Sequence, residues 1–136
     1  MIVRGMLAVL GAVITNVLLV SLCEMALTRV FPPPPGLDLN DPAQLKIFAQ
    51  SMPTAALVML LAGWAAGAFG GAAAGFLIAR KTWAAWVGPA FNLLGVAMSI
   101  TMMPHPPWVA AVGLVMPFIA GWSVPRLLRP SAVTVT

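Results

Sequence analysis

Four apolar stretches, at about residues 5–28, 53–79, 82–103 and 107–128, take up most of this 136-residue chain. Each is long enough to cross the hydrocarbon core of a bilayer, which takes about 20 helical residues. Inside lipid a backbone N–H or C=O finds no water, so each stretch has to satisfy its own hydrogen bonds as a helix. The expected fold is all-α: four transmembrane helices in an antiparallel bundle, forming one domain over 1–136. Composition agrees, with 61% of residues apolar and only 7% charged, against about 25% charged in a soluble domain. The net charge of +4 raises the question of nucleic acid. The basic residues punctuate apolar stretches instead of gathering with aromatics on a polar face, so the expected partner is the lipid bilayer and no nucleic acid.

Direction follows from the same residues. Arg4, Arg80, Lys81, Arg126 and Arg129 fall on one side of the four spans, and Arg29 and Lys46 on the other. Basic residues are in excess on cytoplasmic loops, so both termini and the 80–81 loop are expected in the cytoplasm. The N-terminal run is longer than a signal peptide's apolar region and no A-x-A site ends it, so it is read as the first helix. Cys23 is the single cysteine, which rules out an internal disulfide.

The longest connection, residues 31–52, opens with Pro32 to Pro35, which favour an extended entry. Asn40 or Asp41 can cap a short helix with Pro42 in its first turn. Leu45, Phe48 and Met52 then share a face, which suits a helix lying in the membrane interface. Pro53 either kinks this helix into the next or ends it.

The second span contains "GWAAGAFGGAAAG", with Gly63, Gly67, Gly71 and Gly75 in one line. In water each glycine costs a helix about 1 kcal/mol against alanine. In lipid, small residues let two helix backbones approach, and close packing supplies the attraction. The stripe is therefore expected to meet another helix, either of this chain or of a second copy or another membrane protein.

Counting from the helix ends puts Asn16, Trp64 and Asn92 near mid-depth. Pro117 and Pro89 would there leave the carbonyls of Gly113 and Ala85 without helical partners. A buried amide or indole N–H needs a partner, so a small network among these groups is expected. Such groups mark a substrate path or serve as helix glue worth about 0.6 kcal/mol each. Trp83, Trp86, Trp108 and Trp122 sit near span ends, where interface tryptophans belong.

Glu24, Asp38, Asp41 and His105 gather on the outer side as candidate site residues, His105 within the rigid "MPHPPW" turn. Cys23, Met25, Met52, Met102 and Met103 reach the same level, and thiol, thioether and imidazole suit Cu(I). No M-x-x-M or H-x-x-x-H spacing accompanies them, so no metal and no other cofactor is expected. One His, one Cys, one Glu and no Tyr supply no nucleophile with a base beside it, so the chain is not expected to be an enzyme and no catalytic residue is assigned.

"FPPPPGLD" after the first span, "MP" opening the second, "GWAAGAFGG" within it and "MPHPPW" between the last two together resemble a set of small uncharacterised bacterial four-helix inner-membrane proteins. The resemblance implies that location and no activity. Small multidrug transporters have similar length and a glutamate in helix 1, but theirs lies mid-helix. "NLLG" at 92–95 resembles the Asn-x-x-Gly of fluoride channels, whose Gly-rich arginine motif and helix break are missing here. The expected function is a non-enzymatic membrane component, structural or accessory, packing through its glycine face. The alternatives are a small transporter or channel with Asn16, Trp64 and Asn92 in its path, and an accessory subunit with an outer-face metal or quinone contact.

Overall fold

The computed structural model describes residues 2–129; Met1 and residues 130–136, the ends of the expected domain, lie outside the described residues. The described residues are helical without strands. The helices are α1 (Ile2–Val30), α2 (Pro42–Ser51), α3 (Thr54–Ala79), α4 (Val87–Met102) and α5 (Pro107–Leu127), with a 3-10 segment, Thr82–Trp86, leading into α4. Four of them, counting the 3-10 segment with α4, are long and apolar enough to cross a membrane.

Helix α3 is the centre. It packs on α1, α4, α5 and the 3-10 segment. Its Gly63, Gly67, Gly71 and Gly75 are all buried within the fold. A Cβ at Gly63 would stand 2.7 Å from Cys23 Cβ, and one at Gly71 would stand 2.9 Å from both the Ala12 carbonyl oxygen and Gly88 Cα. One at Gly75 would overlap the Ala84 carbonyl oxygen, and one at Gly67 would overlap a Val20 methyl. The line of glycine thus faces α1 on one side and the start of α4 on the other. Residue pairing runs 63 with 23 and 75 with 12, so α1 and α3 point in opposite directions. The Arg4 side chain donates to the Ile78 carbonyl at 2.5 Å, which ties the start of α1 to the end of α3.

The core is split along the long axis. Leu27, Ala56, Leu57, Leu60, Trp64, Val96 and Val109 form one cluster toward the 31–41 loop. Ala68, Ala72, Phe76, Ala85, Ala120 and Val124 form another toward the basic end. Four of the six residues in the second cluster are alanine, and such small residues let helix backbones approach.

One expectation about proline changes, and one alternative is decided. The span expected at 82–103 is not one regular helix. A continuous α-helix would drive the Pro89 ring against the Ala85 carbonyl, and the chain takes a tighter 3-10 turn through Trp86 instead. Pro89 is then the third residue of α4, where helix N–H groups have no partner in any case, so no helical bond is broken there. Pro53 does not kink one helix into the next: α2 ends at Ser51 and Pro53 caps α3 in extended conformation.

Helix α5 carries Pro117 and Pro125 within it. Four residues before each stands a glycine, Gly113 and Gly121, and each lies against a tryptophan ring. A Cβ at Gly113 would come within 2.6 Å of Trp64, and one at Gly121 would overlap Trp86. The repeat Gly-x-x-x-Pro, eight residues apart, builds two shallow seats on one side of α5.

Candidate functional site

Asn16 on α1 and Asn92 on α4 are 3% and 4% exposed and are the two buried polar residues of the core. Asn16 Nδ2 donates to Asn92 Oδ1 at 3.0 Å. They meet across the gap left by Gly67: a Cβ there would lie 3.0 Å from Asn16 Nδ2 and 3.2 Å from Asn92 Oδ1. The amide pair therefore depends on the absence of a side chain on α3. Asn92 Nδ2 is buried with no hydrogen-bond partner.

From this pair a cleft of about 180 Å³ opens between α1, α3 and α4. Asn16, Val20, Ser21 and Glu24 line it from α1, Trp64 from α3, and Asn92, Gly95 and Ser99 from α4. Glu24 is exposed, so its carboxyl stands at the accessible end of the cleft while the amides stand at its buried end. A Cβ added at Gly95 would meet nothing within 4 Å, so this glycine is not needed for packing and leaves space beside the cleft.

Trp64 shares the cleft, but the side-chain bond joins the two asparagines. Its ring is packed by Gly113 and Val96 and meets the His105 ring edge-on, with centroids 5.7 Å apart at 64°. His105, in the link between α4 and α5, is thus held over the tryptophan. His105 Nδ1 is buried without a hydrogen-bond partner. Burial lowers the His105 pKa, and the Met103 backbone acts more weakly the other way.

A lowered folded-state pKa means that the folded protein resists protonation at His105. The unfolded chain takes up the proton first, near its ordinary value of about 6.5. The stabilising contribution is present above that value and is lost as pH falls through the folded-state pKa. Stability in a detergent titration should decline as pH falls below about 6.5, and His105→Gln should flatten the decline. An identical slope in the variant would remove His105 as its source.

Asp38 and Asp41 do not join the cleft. Asp38 Oδ1 accepts from Asn40 N at 2.9 Å, and Gln44 Oε1 accepts from Asp38 N at 3.0 Å. Asp41 caps α2, accepting from Ala43 N at 2.9 Å. Both acids hold the loop between α1 and α2 in shape. Among the described residues no group of three His, Cys, Asp or Glu side chains stands together to hold a metal ion.

Ser21 and Ser99 line the cleft without being site candidates from the sequence, and Gly95 lines it as the last residue of "NLLG". Residues 16, 20 and 24, and residues 92, 95 and 99, each recur at helical spacing on one face. Comparison with protein families, with curated proteins and with solved structures finds no match for the chain. The cleft is therefore read from its own geometry.

Proposed function

We propose that the protein is a non-enzymatic, multi-pass protein of the bacterial inner membrane that takes a small polar solute into the cleft between α1, α3 and α4. Its four apolar helices cross as an antiparallel bundle, packed internally through the glycine face. The basic excess at one end puts both termini in the cytoplasm, and α2 lies in the outer interface. The observation that carries the solute reading is the unpartnered Asn92 Nδ2 in a cleft that Glu24 lines at its outer end. A buried unpaired donor costs about 1–3 kcal/mol, and an acceptor atom of a bound solute would relieve it. Glu24 supports recognition of a hydroxyl or ammonium group on the same molecule. The solute class is therefore a small amino alcohol, amine or polyol carrying both donor and acceptor groups.

Protein reconstituted in vesicles should move or bind a member of a panel of such solutes. Asn92→Ala and Glu24→Gln should each weaken that signal about tenfold, as expected when a charge-assisted or buried hydrogen bond is lost. Gly95→Leu should block it while leaving the fold intact, because its side chain would enter open space. A folded wild-type protein that moves and binds nothing in the panel would remove this reading.

The second reading is an accessory subunit of a larger membrane complex. It is favoured by α1, whose Ile2, Val3, Met6, Leu10, Ile14 and Leu18 are all more than half exposed. Cross-linking from Leu10 and Ile14 in native membranes, which captures either nothing or a defined partner, separates the two.

A further inference from the structure

Five of the seven basic residues stand at one end of the molecule: Arg4, Arg80, Lys81, Arg126 and Arg129. The chain's three acidic side chains, Glu24, Asp38 and Asp41, stand at or beyond the other end. The basic end thus has no carboxylate side chain of its own to balance it. It is also not flat. Two adjoining depressions of about 280 and 470 Å³ share Thr82 and Arg129 as common walls. Arg126 and Trp122 complete one, and Arg80 and Lys81 complete the other.

Arg126 is held in place by its own helix. Arg126 Nη1 donates to the Trp122 carbonyl, and its guanidinium lies over the Trp122 ring at 4.0 Å. Arg80 ends α3 in the left-handed conformation, at φ 57°. Glycine is the residue that takes this conformation without steric cost, whereas arginine takes it here at some cost. Trp86 and Trp122 are 41% and 57% exposed beside these cations, the amphipathic arrangement found at headgroup level.

We propose that these two depressions form a binding site for the phosphate headgroup of an anionic phospholipid, gripped between Arg126, Arg129, Arg80 and Lys81. Arginine's planar fork suits bidentate recognition of phosphate oxygens, and the Thr82 hydroxyl offers a further donor. The apolar surroundings select lipid over a soluble phosphate: Trp122 and Leu127, 57% and 76% exposed, would lie along the acyl chains. Basic pockets between helices on the cytoplasmic side are a recurrent solution for such headgroups. The proposal rests on the membrane-spanning arrangement and not on the solute cleft.

The test uses the full chain in vesicles of phosphatidylcholine alone or mixed with phosphatidylglycerol. Brominated phosphatidylglycerol should quench tryptophan fluorescence more than brominated phosphatidylcholine at equal fraction, because Trp86 and Trp122 line the site. Each cation removed should cut the preference about fivefold, the equivalent of roughly 1 kcal/mol per basic residue. Arg126→Gln with Arg129→Gln should bring it near unity. Arg80→Gly separates binding from folding: it should unfold no more readily than wild type and yet show the preference for the anionic lipid cut by about fivefold. Equal quenching by both lipids in wild type, or an undiminished preference in the double variant, would overturn the site. Full competition by millimolar inorganic phosphate would also overturn it, in favour of a soluble anion. Flotation with pure phosphatidylcholine vesicles reports insertion by itself: lost selectivity with flotation retained overturns only the lipid site, and loss of flotation overturns the membrane reading with it.

Discussion

Gly75→Ala should be among the most damaging single substitutions in this protein, although alanine is the better helix former. Helix propensity alone would favour the change by about 1 kcal/mol. The added methyl would overlap the Ala84 carbonyl oxygen and stand 3.3 Å from Ala12 Cβ. The first is backbone and cannot rotate away, so the 3-10 segment or α3 itself must shift. Overpacking of this kind costs about 1–3 kcal/mol, sometimes more, and the net loss should be about 2 kcal/mol or greater. Gly88→Ala should behave alike, because its Cβ would lie 2.5 Å from the Gly71 backbone. Gly70→Ala is the control. Its methyl would meet the end of the Leu19 side chain, on the outer helix α1, and that side chain can change rotamer. It should be neutral or gain up to about 1 kcal/mol. Unfolding in mixed detergent would read the ranking, and equal stability of Gly75→Ala and Gly70→Ala would contradict close backbone packing as its cause.

Trp64→Ala carries the second large effect. The side chain is 4% exposed and fills the seat on Gly113 beneath His105. Removing a buried tryptophan costs about 3–5 kcal/mol in a soluble core. Here the lower end applies, about 3 kcal/mol, because in lipid the unfolded reference offers the indole an apolar surrounding as well. The cavity and the lost contacts remain. The substitution should also expose His105, so the decline of stability toward pH 5 should shrink along with the stability itself. A loss below about 1 kcal/mol with the pH response intact would show that Trp64 neither fills the core nor shields the histidine.

The two effects differ in how far the chain announces them. The spacing of Gly63, Gly67, Gly71 and Gly75 defines a smooth helix face from periodicity alone. It does not say that α1 and α4 share that face, with Asn16 and Asn92 meeting over Gly67. Depth counting puts Asn16, Trp64 and Asn92 at one level, and in the structure all three line one cleft. The same counting sets Glu24 apart as an end-of-helix acid, when it lies two turns along the same face as Asn16. Ser21, Gly95 and Ser99 carry too little signal singly, and become a site only when two helices are laid side by side. Asp38 and Asp41 show the reverse: their place in a Pro- and Asn-rich loop marks them equally as turn and cap residues, and that is what their hydrogen bonds make them.

Features set within a few residues are legible in the chain alone. Helices long and apolar enough to cross a bilayer follow from four apolar runs, because a helix satisfies its backbone within a few residues. The Asp41 cap with Pro42 at the start of α2 follows from two neighbouring residues. The tertiary structure decided everything that joins distant residues: the amide bond between Asn16 and Asn92, 76 positions apart, the tryptophan seats on α5, and the meeting of α3, the 3-10 segment and α5 that brings Arg80 and Lys81 near Arg126 and Arg129. Such pairings depend on which faces touch and on how closely backbones approach. Periodicity supplies the faces, and only packing selects among the pairs that they permit.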